Sequence, residues 1–391
     1  MIKSIKIMLL PNNKQQTKLH QYAGAARFAY NWAITREQGN YKNGNKFLSD
    51  NDLRKEFTQL KKQEEFQWLN TISNNVPKQA IKDACNAYSN FFKKNSSYPK
   101  FKNKKTSTLS FYQDVVKIQF SETHVKLEGF SSSKKPNKQK LNWVKLAEKN
   151  RIPLGVKYSN PRVTFDGIHW WISIGIEYEE LVDINKNDGI GIDLGIKELA
   201  VCSNGSFYKN INKEEIIKKL KKKHQQLQRK TSKKYSMNKN NKNCRKTRNI
   251  IKSEKELLKL NHRLTNIRQN YLHQTTSEII KQTPIFVVLE DLDIRKMLKN
   301  KHIAKAIQEQ KLYEFFRQIR YKCEWNNIEF IMADKWFPSS KLCSECGCVN
   351  KNLKLSDRTY ICPECGNTID RDYQAALNLK RYGEQILKSA A

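Results

Sequence analysis

Cys343-Ser-Glu-Cys346 and Cys362-Pro-Glu-Cys365 are two CxxC pairs separated by fifteen residues. Each pair offers two sulfurs to one face of a tetrahedral ion, so four thiolates in this spacing form a zinc ligand set. A closed four-sulfur site is structural, and it folds a stretch too small to build its own core. Cys348 is near enough to substitute as a ligand, although its spacing fits less well. Cys85, Cys202, Cys244 and Cys323 read as core or incidental thiols. Directly after the second pair comes Asp370-Arg-Asp372-Tyr-Gln-Ala-Ala, an acidic cluster where metal-dependent chemistry would sit beside the ribbon.

Two further carboxylates stand in apolar surroundings. Asp193 lies within Ile190-Gly-Ile-Asp-Leu-Gly-Ile, a short buried strand, and a charge there is expensive unless a metal or another partner compensates it. Glu290 ends the apolar run Pro284-Ile-Phe-Val-Val-Leu-Glu290, and Asp372 opens the last helix. Taken singly, each reads as a turn, cap or strand-end charge. In first strand, fourth strand and final helix, however, they occupy the places where an RNase H-like fold puts its metal-binding acids. Three such carboxylates would hold two divalent ions about 4 Å apart, one activating water and the other stabilising the departing 3′ oxygen of a phosphodiester. All-oxygen ligands favour magnesium, with manganese as a substitute.

The elements that must position these residues follow from periodicity. Residues 2–10 alternate as a strand. Ala25, Phe28, Ala29 and Trp32 mark a helix, followed by a polar link over Gly39–Lys46. Ala80, Ala84, Ala87 and Phe91 mark a second helix after Pro77. Pro99 forbids a helix within Lys93–Lys105. Strand patterns return over 109–130 and 152–179, with an exposed loop at Lys134–Lys140 between them. Beyond about residue 186, strands at Ile190–Ile196, Leu199–Ser203 and Ser206–Tyr208 enclose an Asn204-Gly205 hairpin turn. The section 212–280 reads as an antiparallel helix pair whose middle, Lys230–Arg248, is nearly all Lys, Asn, Ser and Arg and is expected to be a mobile loop. Leu312, Phe315, Phe316 and Ile319 mark a helix, Phe330–Met332 a strand, and Asp372–Leu387 the closing helix. The fold class is α+β and multidomain: a small β-barrel interrupted by helices, then an RNase H-like α/β domain with an inserted zinc ribbon.

Lys and Arg number 73 against 38 Asp and Glu, a formal charge of +35. Such an excess calls for a polyanion, so nucleic acid is the first partner to expect and an anionic membrane surface the second. No run of about 18 apolar residues and no secretory signal is present, which excludes a membrane-spanning reading and points to a bacterial cytoplasm. Nine cysteines in such a chain argue against a disulfide framework.

Gly191-Ile-Asp-Leu-Gly195, Val288-Leu-Glu-Asp-Leu292, Phe337-Pro-Ser-Ser-Lys-Leu-Cys-Ser-Glu-Cys-Gly347 and Asp370-Arg-Asp-Tyr-Gln-Ala-Ala-Leu-Asn378 together resemble the TnpB family (also called OrfB). These are RuvC-like, RNA-guided nucleases carried by bacterial insertion sequences and related to type V CRISPR effectors. The resemblance spans nearly the whole chain and is most specific over 189–380; Tyr30-Asn-Trp32 and Tyr98-Pro-Lys-Phe101 carry it weakly in the N-terminal half. It implies a wedge-type barrel (1–10 and 106–185), a helical recognition lobe (11–105), a split RuvC domain (186–334 and 369–391, with a hairpin insertion at about 212–280) and a zinc-bearing target-binding module (335–368). It further implies a guide RNA from the transposon end and double-stranded DNA bearing a short flanking motif; a monomer is expected. Asp193, Glu290 and Asp372 fall on the family's catalytic triad, while Gln374 stands where Asn is usual, leaving one supporting hydrogen bond in question.

A guide–target duplex would be gripped through its phosphates. Lys93, Lys94, Lys100, Lys102, Lys104 and Lys105 are candidates, with Tyr98 and Phe101 able to stack on an unpaired base. A second set comprises Lys218, Lys219, Lys221, Lys222, Arg229, Arg245 and Arg248. Two other functions share these residues. One is an RNA-guided binder or repressor without nuclease activity, against which the three acids speak. The other is a strand-transfer transposase, which the ribbon position and split helical lobe fit poorly.

Overall fold

The structure, a computed structural model, describes residues 2–131, 135, 139–177, 187–240, 246–354 and 357–390. Cys244, Arg245, Lys134 with most of its expected loop, and the expected boundary at 185/186 lie outside the described residues. Contacts divide the chain into two compact units, Met1–Tyr178 and Glu179–Ala391.

In the first unit β1 (Ile2–Leu10) pairs antiparallel with β7 (Trp170–Glu177) along nearly its full length, from Ile2↔Glu177 to Leu9↔Trp170. The other strands are β2 (Leu109–Tyr112), β3 (Gln119–Phe120), β4 (His124–Lys126), β5 (Trp143–Leu146) and β6 (Tyr158–Phe165). The sheet order is β2-β6-β7-β1-β5-β4-β3. Among the described residues no ladder joins β2 to β3, so the expected barrel is an open seven-stranded sheet. Its helices are α1 (Asn13–Lys42), α2 (Asp50–Leu60) and α3 (Asn75–Phe92). A capping box formed by Asn12 and Gln15 starts α1. The helix runs four residues into the expected Gly39–Lys46 link, ending at Lys42. Tertiary contacts override the polar composition there: Glu37 and Asn40 are buried, and the Asn40 amide donates to the Lys46 carbonyl. Buried Ala26, Ala29 and Ala33 on α1 and Ala80 and Ala84 on α3 permit close packing of the two helices. Strands and helices share one core that includes Ile7, Leu19, Tyr22, Phe111 and Trp170.

The second unit is built on five strands: β8 (Ile190–Leu194), β9 (Glu198–Cys202), β10 (Phe207–Lys209), β11 (Phe286–Glu290) and β12 (Glu329–Ala333). They lie in the order β10-β9-β8-β11-β12. The hairpins β8-β9 and β9-β10 are antiparallel, and β8-β11 and β11-β12 are parallel. Gly205 takes φ +83°, which lets the β9-β10 turn close with its N–H on the Cys202 carbonyl. Between β10 and β11 run α4 (Glu215–Asn240) and α5 (Arg248–Lys281).

The expected loop at Lys230–Arg248 is therefore mostly helix. Lysine is a good helix former, and this face has partners on α5. Thr231 is buried, Lys234 donates to Ser253, and the Tyr235 hydroxyl donates to Glu254. With Leu220 packed near Leu260 and Leu264, these pairs make the two helices antiparallel. Three helices then precede or follow the last strands: α6 (Ile294–Met297), α7 (Ala304–Gln310) and α8 (Leu312–Trp325) lead to β12. The small hairpin β13 (Thr359–Ile361) and β14 (Thr368–Asp370) leads into α9 (Arg371–Ala390).

Alternation along β8 and β11 gives each face its own cover. Ile190, Ile192, Val287 and Leu289 share a core with Leu272 and Ile279 of α5 and Phe315 and Ile319 of α8. The opposite face carries Phe286 and Val288, which pack with Leu379 of α9. Gly191 is on that second face, where an added Cβ would fall 2.2 Å from the Ala376 carbonyl oxygen and 2.4 Å from the Lys380 nitrogen. Both obstacles are backbone, so α9 touches β8 only because residue 191 has no side chain. Gly191→Ala is expected to destabilise the second unit by about 1–3 kcal/mol, read as a melting transition several degrees lower with zinc still bound.

Candidate active site and metal centre

The same face sets the acids. Val288 pairs with Gly191 and Leu289 with Ile192, so Glu290 and Asp193 are the next residues along two adjacent parallel strands and share the α9 face. Ala376 of α9 covers Gly191. One helical turn back from Ala376 is about 6 Å, and two strand residues on from Gly191 is about 6.6 Å. The two steps match, which brings Asp372 level with Asp193. Asp370 serves a different purpose: its Oδ1 accepts the N–H groups of Asp372 and Tyr373 at 2.9 and 3.1 Å, capping α9 while exposed itself.

All three acids are half-buried. Burial first, then the charges of Glu290 and Asp372, push the Asp193 carboxyl well above the usual carboxylate range, with Arg371 opposing. Burial also raises Glu290, against a hydrogen bond from the Ser339 hydroxyl to its Oε1. Arg371 reaches Asp372 at 3.1 Å and Arg358 at 3.9 Å. Desolvated, mutually repelling hard oxygens with cations only at one edge are a donor set that a divalent cation would relieve. Among the described residues only the four cysteines have ligand atoms all within 4.8 Å of one another, so the acids form a more open set. Of the three, Asp193 is the acid on which both other charges act.

The ribbon cysteines close tightly. Cys343 and Cys365 Sγ atoms lie 3.6 Å apart and those of Cys346 and Cys362 3.5 Å. Tetrahedral bonds of about 2.3 Å require sulfurs roughly 3.8 Å apart, so these residues fit zinc. Each knuckle ends in a left-handed glycine, Gly347 (φ +76°) and Gly366 (φ +71°), whose N–H returns to the carbonyl of the pair's first cysteine. The Cys365 N–H on its sulfur helps pull the Cys362 thiol down to about 6. Cys348 stays outside the four-sulfur group; its carbonyl accepts the Cys343 N–H. Cys202 and Cys323 are buried and Cys85 half-buried.

Sequence reasoning singled out Gln374 but not its partners, and it missed Asn378; both join the ribbon to α9. Gln374 and Asn378 on α9 are fully buried. Gln374 accepts from the Ser344 hydroxyl at 2.8 Å and donates to the Leu342 carbonyl at 2.6 Å. The long side chain of Gln374 thus reaches the first knuckle. A signal existed: Gln374 and Asn378 are four residues apart among Ala375, Ala376 and Leu379, polar positions on an apolar helix face.

The basic candidates divide. Lys93, Lys94, Lys100, Lys104 and Lys105 are exposed, as are Lys218, Lys219, Lys222, Arg229 and Arg248. Lys102 is not a free surface charge: its Nζ sits 3.9 Å over the Tyr30 ring, and burial lowers its pKa against the pull of Asp83. Lys221 is engaged by Glu309 at 2.6 Å. Tyr98 packs edge-on against Phe91 and Tyr88, and Phe101 is 51% exposed.

Three family models match the chain: "Helix-turn-helix domain" over residues 1–46, "Probable transposase" over 173–301 and "Cas12f1-like, TNB domain" over 313–379. Residues 1–46 here are one strand and one long helix. Two curated relatives bear the name "Putative RNA-guided DNA endonuclease". InsQ of Escherichia coli (strain K12) is 27% identical, covering 99% of this chain and 93% of its own length. A protein of Streptomyces pristinaespiralis is 28% identical over 97% and 89%. Among solved structures, a Cas12f1–sgRNA–target DNA complex shares the fold at TM-score 0.60 and 13% identity, covering 97% of this chain and 98% of that one. The matches define an OrfB-type protein of the Cas12f-like fold. Together these matches support a TnpB-family protein. Among the described residues no helix is long and apolar enough to cross a membrane.

Two measurements test these sites. Metal analysis should find one zinc per chain, lost in Cys362→Ser and kept in Cys348→Ser. The raised Asp193 carboxyl costs stability once pH exceeds its unfolded pKa, and the cost is complete above its folded pKa. Asp193→Asn should therefore raise the melting temperature of magnesium-free protein at pH 8 and change it little at pH 3.5; equal effects at both would contradict the assignment.

Proposed function

We propose that this protein is an RNA-guided endonuclease that cuts double-stranded DNA, with Asp193, Glu290 and Asp372 as its catalytic residues and magnesium as their metal. What supports this reading is that Asp193 and Glu290 follow paired residues on adjacent parallel strands and that the charges of both Glu290 and Asp372 act on Asp193. The strand order, the parallel β8-β11-β12 core and α9 packed across it support an RNase H-like, RuvC-type domain with the ribbon inserted before its last helix. Guided DNA cleavage is what the full-length relatives are named for, and the Cas12f1 complex contains both guide RNA and target DNA.

Bound there, magnesium would activate water and neutralise the leaving 3′ oxygen. The chain's own part is to hold the carboxylates aimed. The Ser339 hydroxyl steadies one oxygen of Glu290, and Asp370 fixes the helix start that carries Asp372. Arg358 and Arg371 border the cluster and suit a scissile phosphate. The ribbon is the target-nucleic-acid-binding module, and the exposed lysines and arginines of both units grip guide and target through phosphates.

Sequencing RNA that copurifies with the protein, then supplying that RNA with magnesium and matched DNA, tests the reading. An RNA from the gene's 3′ flank and a cut duplex are expected. Asp193→Ala should lower cleavage about 10³-fold, equivalent to roughly 4 kcal/mol in the barrier, with guide and target still bound. A matched duplex left whole by wild-type protein would leave a guided binder; joining of a labelled transposon end by protein alone would indicate strand transfer.

A further inference from the structure

We propose that Ser339 is the positioning residue for Glu290 and that α9 holds it in place through Asn378, so the turn leading into the zinc ribbon is part of the acid site. This rests on the reading of Glu290 as catalytic. Ser339 lies four residues before the first zinc cysteine, and it is buried. Its hydroxyl donates to Glu290 Oε1, and its carbonyl accepts from Asn378 Nδ2 at 2.7 Å. The same amide donates to the Leu342 carbonyl at 2.6 Å, where the Gln374 amide also donates. Asn378 Oδ1 has no hydrogen-bond partner, so this buried side chain serves as a double donor to the turn. One helix thus carries both Asp372 and the side chain that holds the turn touching Glu290.

Glutamate has more side-chain freedom than aspartate, and Glu290 is the last residue of its strand. Without Ser339 its carboxylate would sample rotamers that point away from Asp193. With one oxygen occupied by a hydroxyl, the carboxylate is held before a metal arrives, as second-layer partners do at metal sites. The ribbon then acts on cleavage through geometry as well as through any contact with DNA.

Single-turnover cleavage by the assembled ribonucleoprotein across a magnesium series tests this. Ser339→Ala should cut at least tenfold more slowly at low magnesium, with the half-saturating magnesium concentration raised severalfold and the deficit shrinking as magnesium rises. Zinc content and guide-RNA binding should be unchanged. Ser339→Thr, which keeps the hydroxyl, should stay close to wild type. Wild-type magnesium dependence in Ser339→Ala would overturn the proposal, and so would loss of zinc or guide binding, which would make Ser339 a folding residue. Glu290→Ala separates the two levels: if it still cuts, the active-site reading fails with this one, whereas an inactive Glu290→Ala beside a normal Ser339→Ala sinks only the role of Ser339.

Discussion

The contact of α9 with β8 at Gly191 is the constraint on which the acid site depends. Strand geometry alone delivers Asp193 and Glu290 side by side, but the third acid is about 80 residues further along and must come from a helix. That helix must lie against the sheet at backbone distance, because Asp372 is a short side chain at its first turn. A β-carbon at 191 would meet the Ala376 carbonyl and lift the helix away. The antiparallel run of α9 over β8 then converts equal steps of helix and strand into convergence of Asp372 on Asp193.

Convergence has an electrostatic cost, and that cost points to the missing charge. Asp193 is desolvated and faces two other acids, so its ionised form is disfavoured in the protein without metal. Arg371 only opposes this effect at Asp193, while its ion pair is with Asp372. The ribbon solves a separate problem, ordering a stretch whose small core among the described residues is Tyr360, Cys343 and Cys362 with Cys348, Leu353 and Ile369 packed against them. Gln374 and Asn378 join these two solutions, because each lies on α9 and bonds the ribbon's approach.

Much of this was legible in the sequence where the signal is local. The four cysteines, the Asn204-Gly205 turn and the apolar strands ending at Glu290 and enclosing Asp193 all came from spacing and pattern. What stayed hidden depends on partners distant in the chain. Lys230–Asn240 looks like a linker by composition, yet Thr231, Lys234 and Tyr235 meet α5 and keep it helical. Lys102 looks like one more surface lysine until Tyr30 and Asp83 fold around it. Ser339 looks like a loop serine, and nothing near it in the chain announces Glu290.

The central claim is that Asp193, Glu290 and Asp372 share bound divalent metal. Anomalous scattering from crystals of the guide-bound protein soaked in manganese would test it most directly. The account predicts strong density within ligand distance of Asp193 and reaching toward both other acids. Manganese absent from that face, with the zinc signal at the cysteines intact, would contradict it.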